Sequence, residues 1–344
     1  MIVPVFQQDD HLYDRIYPFM NQGDAMSDQP PKVTAFLHKT EIGLGAWQWG
    51  DRFVWHYGRS HTLEDSEAAF QASLSAGVNL IDTAEIYGNG SSEHLTGQFI
   101  QKTDKPVLVA TKFFPFPWRI RKQSLLRALK NSLERLGLDK VDLYQIHWPP
   151  VMASIEHWAD ALAQAVQSGL TRTVGVSNFD KSQMQRVYSV LSQYDIPLAS
   201  NQVQYHLLDR RVEKSGLLAR CHELGIRVIA WSPLAKGVLT GKFTHRNPPP
   251  FARAREYGWV LDKIDPLINL MREIGQEHQQ KTPAQVALNW IICKGALPIP
   301  GAKNASQAEQ NAAAAGWRLT SEQVTALDDA SDKITGTLKI SSSG

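Results

Sequence analysis

From Lys32 onward the chain alternates two kinds of segment in strict order. Short β-branched or apolar runs of strand length are each followed by a longer run with the period of an amphipathic helix. Eight strand candidates lie at residues 42–46, 78–82, 107–112, 141–147, 173–177, 198–203, 227–231 and 297–300. Helix candidates between them include residues 65–76, 122–136, 155–167, 181–191, 212–224 and 283–293.

This alternation favours a parallel sheet with right-handed crossovers, and eight such units are the number that closes a barrel. The 344 residues would also allow a doubly wound sheet with a second domain. That fold should carry Gly-x-Gly-x-x-Gly after its first strand, and neither Gly43-Leu44-Gly45 nor Gly88-Asn89-Gly90 continues to the third glycine. We therefore predict an α/β fold, a (β/α)8 TIM barrel over residues 33–340 with long loops after its strands.

Composition narrows the class of partner. A net charge of +2, with 43% apolar and 20% charged residues, is typical of an ordinary soluble globular protein and argues against nucleic acid as a partner. No apolar run approaches the ~18 residues needed to cross a bilayer, so no membrane partner is expected. Cys221 and Cys293 form no ligand cluster, which favours a reducing compartment, the cytoplasm, and no metal site.

We predict that residues 1–32 form an N-terminal extension. They are rich in aspartate and end in Pro30-Pro31. A secretory leader needs a basic start before an apolar stretch, and organellar presequences avoid acids, so this segment matches neither. Met26 offers a second start, and the sequence leaves open whether residues 1–25 belong to the native product.

Polar residues lie at the carboxyl ends of the predicted strands, where barrel enzymes carry their catalytic residues. They are Asp82, Lys112, His147, Ser177-Asn178, Gln202 and Trp231-Ser232. Any one of them alone could be a cap or a buried structural group. Burying an acid, a lysine and a histidine together at one end of the barrel would cost several kcal/mol of desolvation free energy. Such a cluster is therefore expected only if the groups pair with one another or take part in catalysis.

These segments resemble the successive signatures of the aldo-keto reductases, in order and in strand placement, from about Val33 to Lys333. The matching stretches are Asp82-Thr83-Ala84-Glu85-Ile86-Tyr87-Gly88, Ala110-Thr111-Lys112, Asp142-Leu143-Tyr144-Gln145-Ile146-His147 and Gly175-Val176-Ser177-Asn178-Phe179. Within the family, the likeness is greatest to plant and cyanobacterial members and to potassium-channel β subunits.

The resemblance implies carbonyl reduction with Tyr87 as the proton donor. A phenol has an ordinary pKa near 10, and we expect the ammonium of Lys112 to lower it. Asp82 would supply the counter-charge that Lys112 needs in a barrel mouth. His147 would donate to the carbonyl oxygen and orient it.

Hydride must come from a cofactor, because no side chain donates it. The resemblance and the local residue types imply NADPH, held at its nicotinamide by Ser177, Asn178, Gln202, Trp231, Ser232 and Leu234 and along its phosphates and adenosine by Lys242, Arg253, Gly301, Lys303, Gln307 and Asn311. The loop after strand seven is basic, and a helix after strand eight offers an anion-binding N-terminus. Gln307 replaces an arginine of the aldose-reductase relatives, so the strictness of NADPH over NADH stays open.

Five tryptophans fall in or beside segments expected to face the mouth: Trp47, Trp49, Trp55, Trp118 and Trp148. We predict that they form a wall for a flat, apolar or aromatic carbonyl, although packing inside the barrel is the alternative. Plant relatives with a turn like Trp47-Gln48-Trp49-Gly50 include pyridoxal reductases, which makes pyridoxal one candidate.

The main functional alternative is a regulatory subunit that binds NADP(H) as a redox sensor. A hydrolase is disfavoured because no Gly-x-Ser-x-Gly occurs. The sequence leaves assembly open, with a monomer favoured.

Overall fold

The computed structural model describes residues 32–244, 246–250 and 255–336, and at its centre lies one sheet of eight parallel strands in chain order. The strands are β1 (Leu44–Gly45), β2 (Leu80–Asp82), β3 (Leu108–Phe113), β4 (Val141–Ile146), β5 (Thr171–Ser177), β6 (Leu198–Gln204), β7 (Arg227–Trp231) and β8 (Leu297–Pro298). The Gly43 N–H donates to Pro298 O over 3.0 Å. The Gly45 N–H donates to Pro300 O over the same distance, so β8 returns to β1. The predicted (β/α)8 barrel is confirmed.

The strands begin and end close to their predicted positions except at the seam. β1 and β8 are two residues long, shorter than predicted. Pro298 and Pro300 lack the N–H that would extend a ladder, which explains the short pairing there. Most of the predicted extension 1–32, and residues 337–340 at the predicted end of the barrel, lie outside the described residues.

Helices connect the strands and cover the outside of the sheet. They are α1 (Ala35–Lys39), α2 (Leu63–Ser75), α3 (Ser91–Ile100), α4 (Lys122–Leu136), α5 (Ile155–Gln167), α6 (Lys181–Ser192), α7 (Arg211–Lys214), α8 (Leu217–Glu223), α9 (Asp265–Glu277), α10 (Pro283–Cys293), α11 (Ala305–Ala312) and α12 (Ser321–Thr335). Short 3-10 helices occur at Tyr87–Gly90, Ala235–Thr240 and Gly258–Val260. No helix in the described part of the chain is long and apolar enough to cross a membrane.

Local chemistry fixes several helix ends. Thr282 and Gln285 form a capping box at the start of α10, with Pro283 at the first helical position. Gly137 adopts φ +66° and ends α4. The predicted helix over 212–224 is instead two helices, α7 and α8, because Gly216 between them takes φ +72° and breaks the helical path.

The amino-terminal end of the barrel is closed. Leu37 of α1 packs into the apolar cluster inside the strands, which includes Leu80, Ala110, Leu143 and Ile229. This short helix has no counterpart among the predicted elements. Since that end is filled with apolar side chains, a ligand has room only at the carboxyl ends of the strands.

Candidate active site

A cavity of about 940 Å³ opens at the carboxyl ends of the strands. This volume lies within the range of small-molecule and cofactor sites. The cavity extends from Tyr87 and His147 at the barrel mouth to Gln307 and Asn311 on α11. The loops after most strands contribute to its wall, so residues far apart in sequence share one space.

Lys112 is fully buried at the base of the mouth, where β3 ends. Its Nζ lies 2.5 Å from Asp82 Oδ1 and donates over 2.8 Å to Thr83 O. It also lies 3.3 Å from the hydroxyl oxygen of Tyr87. The structure therefore brings together the three groups that we expected to form an acid, its neighbouring cation and the counter-charge.

The pKa of Tyr87 differs from our expectation. Burial raises this pKa above 10, the charge of Lys112 lowers it, and the charge of Asp82 raises it again, with a net rise. Lys112 thus acts in the predicted direction but does not outweigh burial. Burial lowers the pKa of Lys112, but Asp82 and Tyr87 raise it by more, so the ammonium stays charged at neutral pH.

His147 follows β4 and completes the cluster. Its ring lies edge-on to Tyr87, with centroids 5.6 Å apart. Burial lowers the pKa of His147 well below 6.5, and the charge of Lys112 lowers it further. The imidazole is therefore neutral at physiological pH and carries one N–H, which suits a hydrogen-bond donor better than a charged acid.

The predicted nicotinamide contacts lie side by side in the cavity wall. Asn178 Nδ2 donates to His147 O over 3.0 Å and to Ser177 Oγ over 3.1 Å. Trp231 Nε1 donates to Asn178 Oδ1 over 3.0 Å, which fixes the plane of the indole. Gln202 Nε2 donates to Asp82 Oδ2 over 2.7 Å. Ser232 and Leu234 also line the cavity.

The backbone at this wall is strained. Asn178 has φ +63°, Ser232 φ +52° and Lys236 φ +52°, a region that residues other than glycine rarely adopt. All three line the cavity. Backbone strain of this kind is typical of functional sites.

At the far end, the cavity reaches the start of α11. Asn304 caps this helix by accepting from Gln307 N, and Asn311 Nδ2 donates to Gly301 O over 3.2 Å. The predicted phosphate and adenosine contacts Lys242, Gly301, Lys303, Gln307 and Asn311 all line the cavity. Arg253, predicted as a further phosphate contact, lies outside the described residues.

The five predicted wall tryptophans separate into two groups. Trp47, Trp55 and Trp148 line the cavity, and Trp47 stacks on Tyr87 with centroids 5.8 Å apart. The prediction for Trp49 is wrong because its indole is buried in the core against Phe99 and Phe70 and donates to Ala302 O. The prediction for Trp118 is also wrong, since this 73% exposed side chain stacks on Phe116 outside the cavity wall.

Among the site residues that were not predicted, three polar side chains stand out. Lys236 lines the cavity and pairs with Glu256 over 2.5 Å, so part of the basic loop is neutralised locally. Gln48 reaches the cavity from the turn after β1. Gln145 lies fully buried beside Asp82. Its position two residues before His147 was the available signal, because residues two apart share a strand face.

Comparison with known proteins agrees with this geometry. A model of the aldo/keto reductase family matches residues 41–332. This match confirms the family resemblance read from the motifs.

Individual relatives match along most of their length. The chloroplastic pyridoxal reductase of Arabidopsis thaliana is 38% identical over 307 residues, which cover 85% of this chain and 83% of that protein. L-glyceraldehyde 3-phosphate reductase of Escherichia coli K12 is 32% identical over 281 residues, covering 75% and 81%. A crystal structure of an aldo/keto reductase from Klebsiella pneumoniae in complex with NADP and acetate superposes with a TM-score of 0.67 at 31% identity, covering 84% of this chain and 90% of that one.

Proposed function

The chain belongs to the aldo/keto reductase family, and from this premise we propose that it is an NADPH-dependent reductase that converts aldehydes and ketones to alcohols. The observation that carries the proposal is the contact of Lys112 Nζ with both Asp82 Oδ1 and the Tyr87 hydroxyl inside the cavity. A regulator that only binds the nucleotide and never turns over would not need this buried group, and the turnover count below separates a slow redox sensor from an enzyme.

The cavity residues fit NADPH. One end offers the hydroxyl and amide groups of Ser177, Asn178 and Gln202 beside the flat face of Trp231, as a carboxamide-bearing ring requires. Elsewhere the cavity is lined by Lys242 from the segment after β7 and by Lys303 just before α11, which suits phosphate groups. The Klebsiella relative, whose structure was solved with NADP, supports the same assignment.

NADPH, when bound, supplies the hydride that no side chain can supply. Tyr87 holds a proton at neutral pH because burial keeps its pKa above 10, and it donates this proton to the carbonyl oxygen as negative charge develops there. Lys112 stabilises the phenolate left behind, and Asp82 keeps Lys112 charged and in place. The neutral imidazole of His147 orients the carbonyl oxygen.

We propose flat aromatic aldehydes as the substrate class, with pyridoxal among them. Trp47 and Trp55 meet edge to face with centroids 5.6 Å apart beside Tyr87, and Trp148 is 46% exposed at the cavity wall. Such a wall favours a planar ring over a small polar aldehyde. The Arabidopsis relative, a pyridoxal reductase, supports this choice.

Turnover tests the proposal. Purified protein is mixed with excess NADPH and 4-nitrobenzaldehyde, pyridoxal, an aliphatic aldehyde or glyceraldehyde 3-phosphate, and absorbance is followed at 340 nm. We expect many NADPH molecules consumed per site, with higher kcat/KM for the aromatic aldehydes. Consumption that stops near one NADPH per site would favour the redox-sensing regulator, and preference for glyceraldehyde 3-phosphate would refute the aromatic substrate class.

We also propose a monomer in a reducing compartment, the cytoplasm. The two free cysteines, buried Cys221 and partly buried Cys293, are compatible with that compartment. Light scattering of the purified protein tests the monomer, and localisation of a tagged full chain tests the compartment.

A further inference from the structure

A polar side chain, that of Gln145, lies in the interior of the barrel, two residues before His147 in the sequence. Along β4, alternate residues Leu143, Gln145 and His147 share a strand face. Leu143 belongs to the apolar cluster inside the strands, and His147 lines the cavity. Gln145 between them is fully buried. An amide buried there costs free energy unless its groups find hydrogen-bond partners.

The partners of Gln145 lead directly to the catalytic cluster. Its Nε2 lies 3.5 Å from Asp82 Oδ2, and its Oε1 accepts from Ser200 Oγ over 3.2 Å. Gln202 Nε2 donates to the same Asp82 oxygen over 2.7 Å. Lys112 holds the other oxygen of Asp82. The carboxylate thus has the cation on one oxygen and two amides on the other.

Gly175 makes this arrangement possible. The strand register places Gly175 between Gln145 of β4 and Ser200 of β6. A Cβ on Gly175 would lie 2.2 Å from Ser200 Oγ, closer than side chains tolerate, and would press on Gln145 Cγ at 3.2 Å. Gly175 is absent from the glycines with positive φ, so space rather than backbone conformation accounts for it.

We infer that Gln145 is a positioning residue: held by Ser200 and given room by Gly175, it fixes the orientation in which Asp82 pairs with Lys112. This inference rests on the proposed reductase function. The ionisable groups around Asp82 are Lys112 and Tyr87, and the charge of Lys112 in turn acts on His147, which follows β4. Removing one of these donors leaves Oδ2 of Asp82 with fewer partners, so the carboxylate is held less firmly in the orientation that meets Lys112.

Gln145→Met tests the inference because methionine keeps a similar length and removes the amide. At saturating NADPH and aldehyde, we expect kcat to fall by about three- to tenfold, because Asp82 no longer holds Lys112 in one orientation beside Tyr87. KM for NADPH should be unchanged. Ser200→Ala, which removes one oxygen atom and leaves no large cavity, should lower kcat by less.

Gln285→Met is the matched control. Gln285 is also buried, and its Nε2 donates to Gln310 O over 3.0 Å at the start of α10. We expect this variant to lose stability but to keep the wild-type kcat at a temperature where it is folded. If Gln145→Met and Ser200→Ala likewise lower only the melting temperature and keep the wild-type kcat, the positioning role is refuted.

The 13C chemical shift of Lys112 Cε, measured at pH 7, separates this inference from the proposed function, because it needs no turnover. A chemical shift that differs between Gln145→Met and wild type supports the positioning role, and identical shifts overturn it. Failure of the wild-type protein to reduce any aldehyde would instead refute the proposed function, and the NMR comparison would still decide the role of Gln145.

Discussion

Lys112 and Asp82 form an ion pair that is almost completely withdrawn from solvent, with Nζ and Oδ1 2.5 Å apart. Removing one partner of a buried pair leaves an uncompensated charge. We predict that Lys112→Met lowers the free energy of unfolding by about 3–5 kcal/mol, measured by denaturant titration. The double variant Lys112→Met/Asp82→Leu should cost less than the sum of the single changes.

The exposed pair Lys102–Glu67, 2.7 Å apart, is the control for this prediction. Its side chains are 54% and 28% exposed, so water screens the pair and Lys102→Met should cost about 1 kcal/mol or less. Equal losses for Lys102→Met and Lys112→Met would show that burial of the catalytic pair has no energetic consequence.

Lys303 is the described cation that we expect to distinguish the two pyridine nucleotides. Its Nζ donates to Ser60 Oγ over 2.8 Å and to Trp55 O over 3.2 Å beside α11. A charge-assisted hydrogen bond contributes about 1.5–3 kcal/mol, so Lys303→Met should raise KM for NADPH by about 10-fold or more and KM for NADH much less. Steady-state kinetics with both nucleotides measures this, and equal increases would contradict a 2′-phosphate contact. Arg253→Ala carries the same expectation from sequence alone.

Trp148 and Trp118 form a natural pair of test positions, because both are exposed tryptophans but only Trp148 lines the cavity. An aromatic contact contributes about 0.5–1.5 kcal/mol, so Trp148→Ala should raise KM for 4-nitrobenzaldehyde about two- to tenfold and leave an aliphatic aldehyde nearly unaffected. Trp118→Ala should change neither value. A larger effect at Trp118 would place the substrate outside the cavity described above.

His206 gives the fold a predictable acid sensitivity. Burial lowers its pKa from 6.5 to about 4. Between these values the unfolded chain binds a proton that the folded protein does not, so stability is complete above about pH 6.5 and falls as pH drops toward 4. The loss at this one site should approach about 1.4 kcal/mol per pH unit.

Denaturant titrations at pH 7, 6 and 5 measure this loss. His206→Gln should lower the slope by up to about 1.4 kcal/mol per pH unit and leave the part due to other buried histidines such as His147, while His94→Gln, a change at an exposed histidine, should keep the wild-type slope. If wild type and His206→Gln change in parallel with pH, the buried imidazole is not the cause.

The sequence predicted the barrel, and the polar residues at the ends of its strands, from local patterns, while Tyr87 was expected from the family resemblance. Strand and helix periods fixed the number of units, and the barrel rule placed the ends of their strands on one rim. Asp82, Lys112 and His147 could therefore be expected to meet although they are distant along the chain. The break at Gly216 was missed because a lone glycine inside a helical pattern does not reveal its φ.

Other features depend on the relative size of opposing effects or on side-chain orientation, which local sequence patterns do not give. The pKa of Tyr87 results from burial opposing the charge of Lys112, and only coordinates give the relative size of the two effects. Trp47 and Trp49 stand in one short turn, yet one faces the cavity and the other the core. Gln145 was missed because polar residues were sought only where strands end.

Tyr87→Phe tests the central claim most directly, because it removes one oxygen atom and leaves the ring that stacks on Trp47. Two quantities are measured: kcat for aldehyde reduction, and NADPH binding by quenching of tryptophan fluorescence. We predict that kcat falls by about 100-fold or more while the Kd for NADPH stays within a few-fold of wild type. A variant that reduces aldehydes at nearly the wild-type rate would contradict the assignment of Tyr87 as the proton donor.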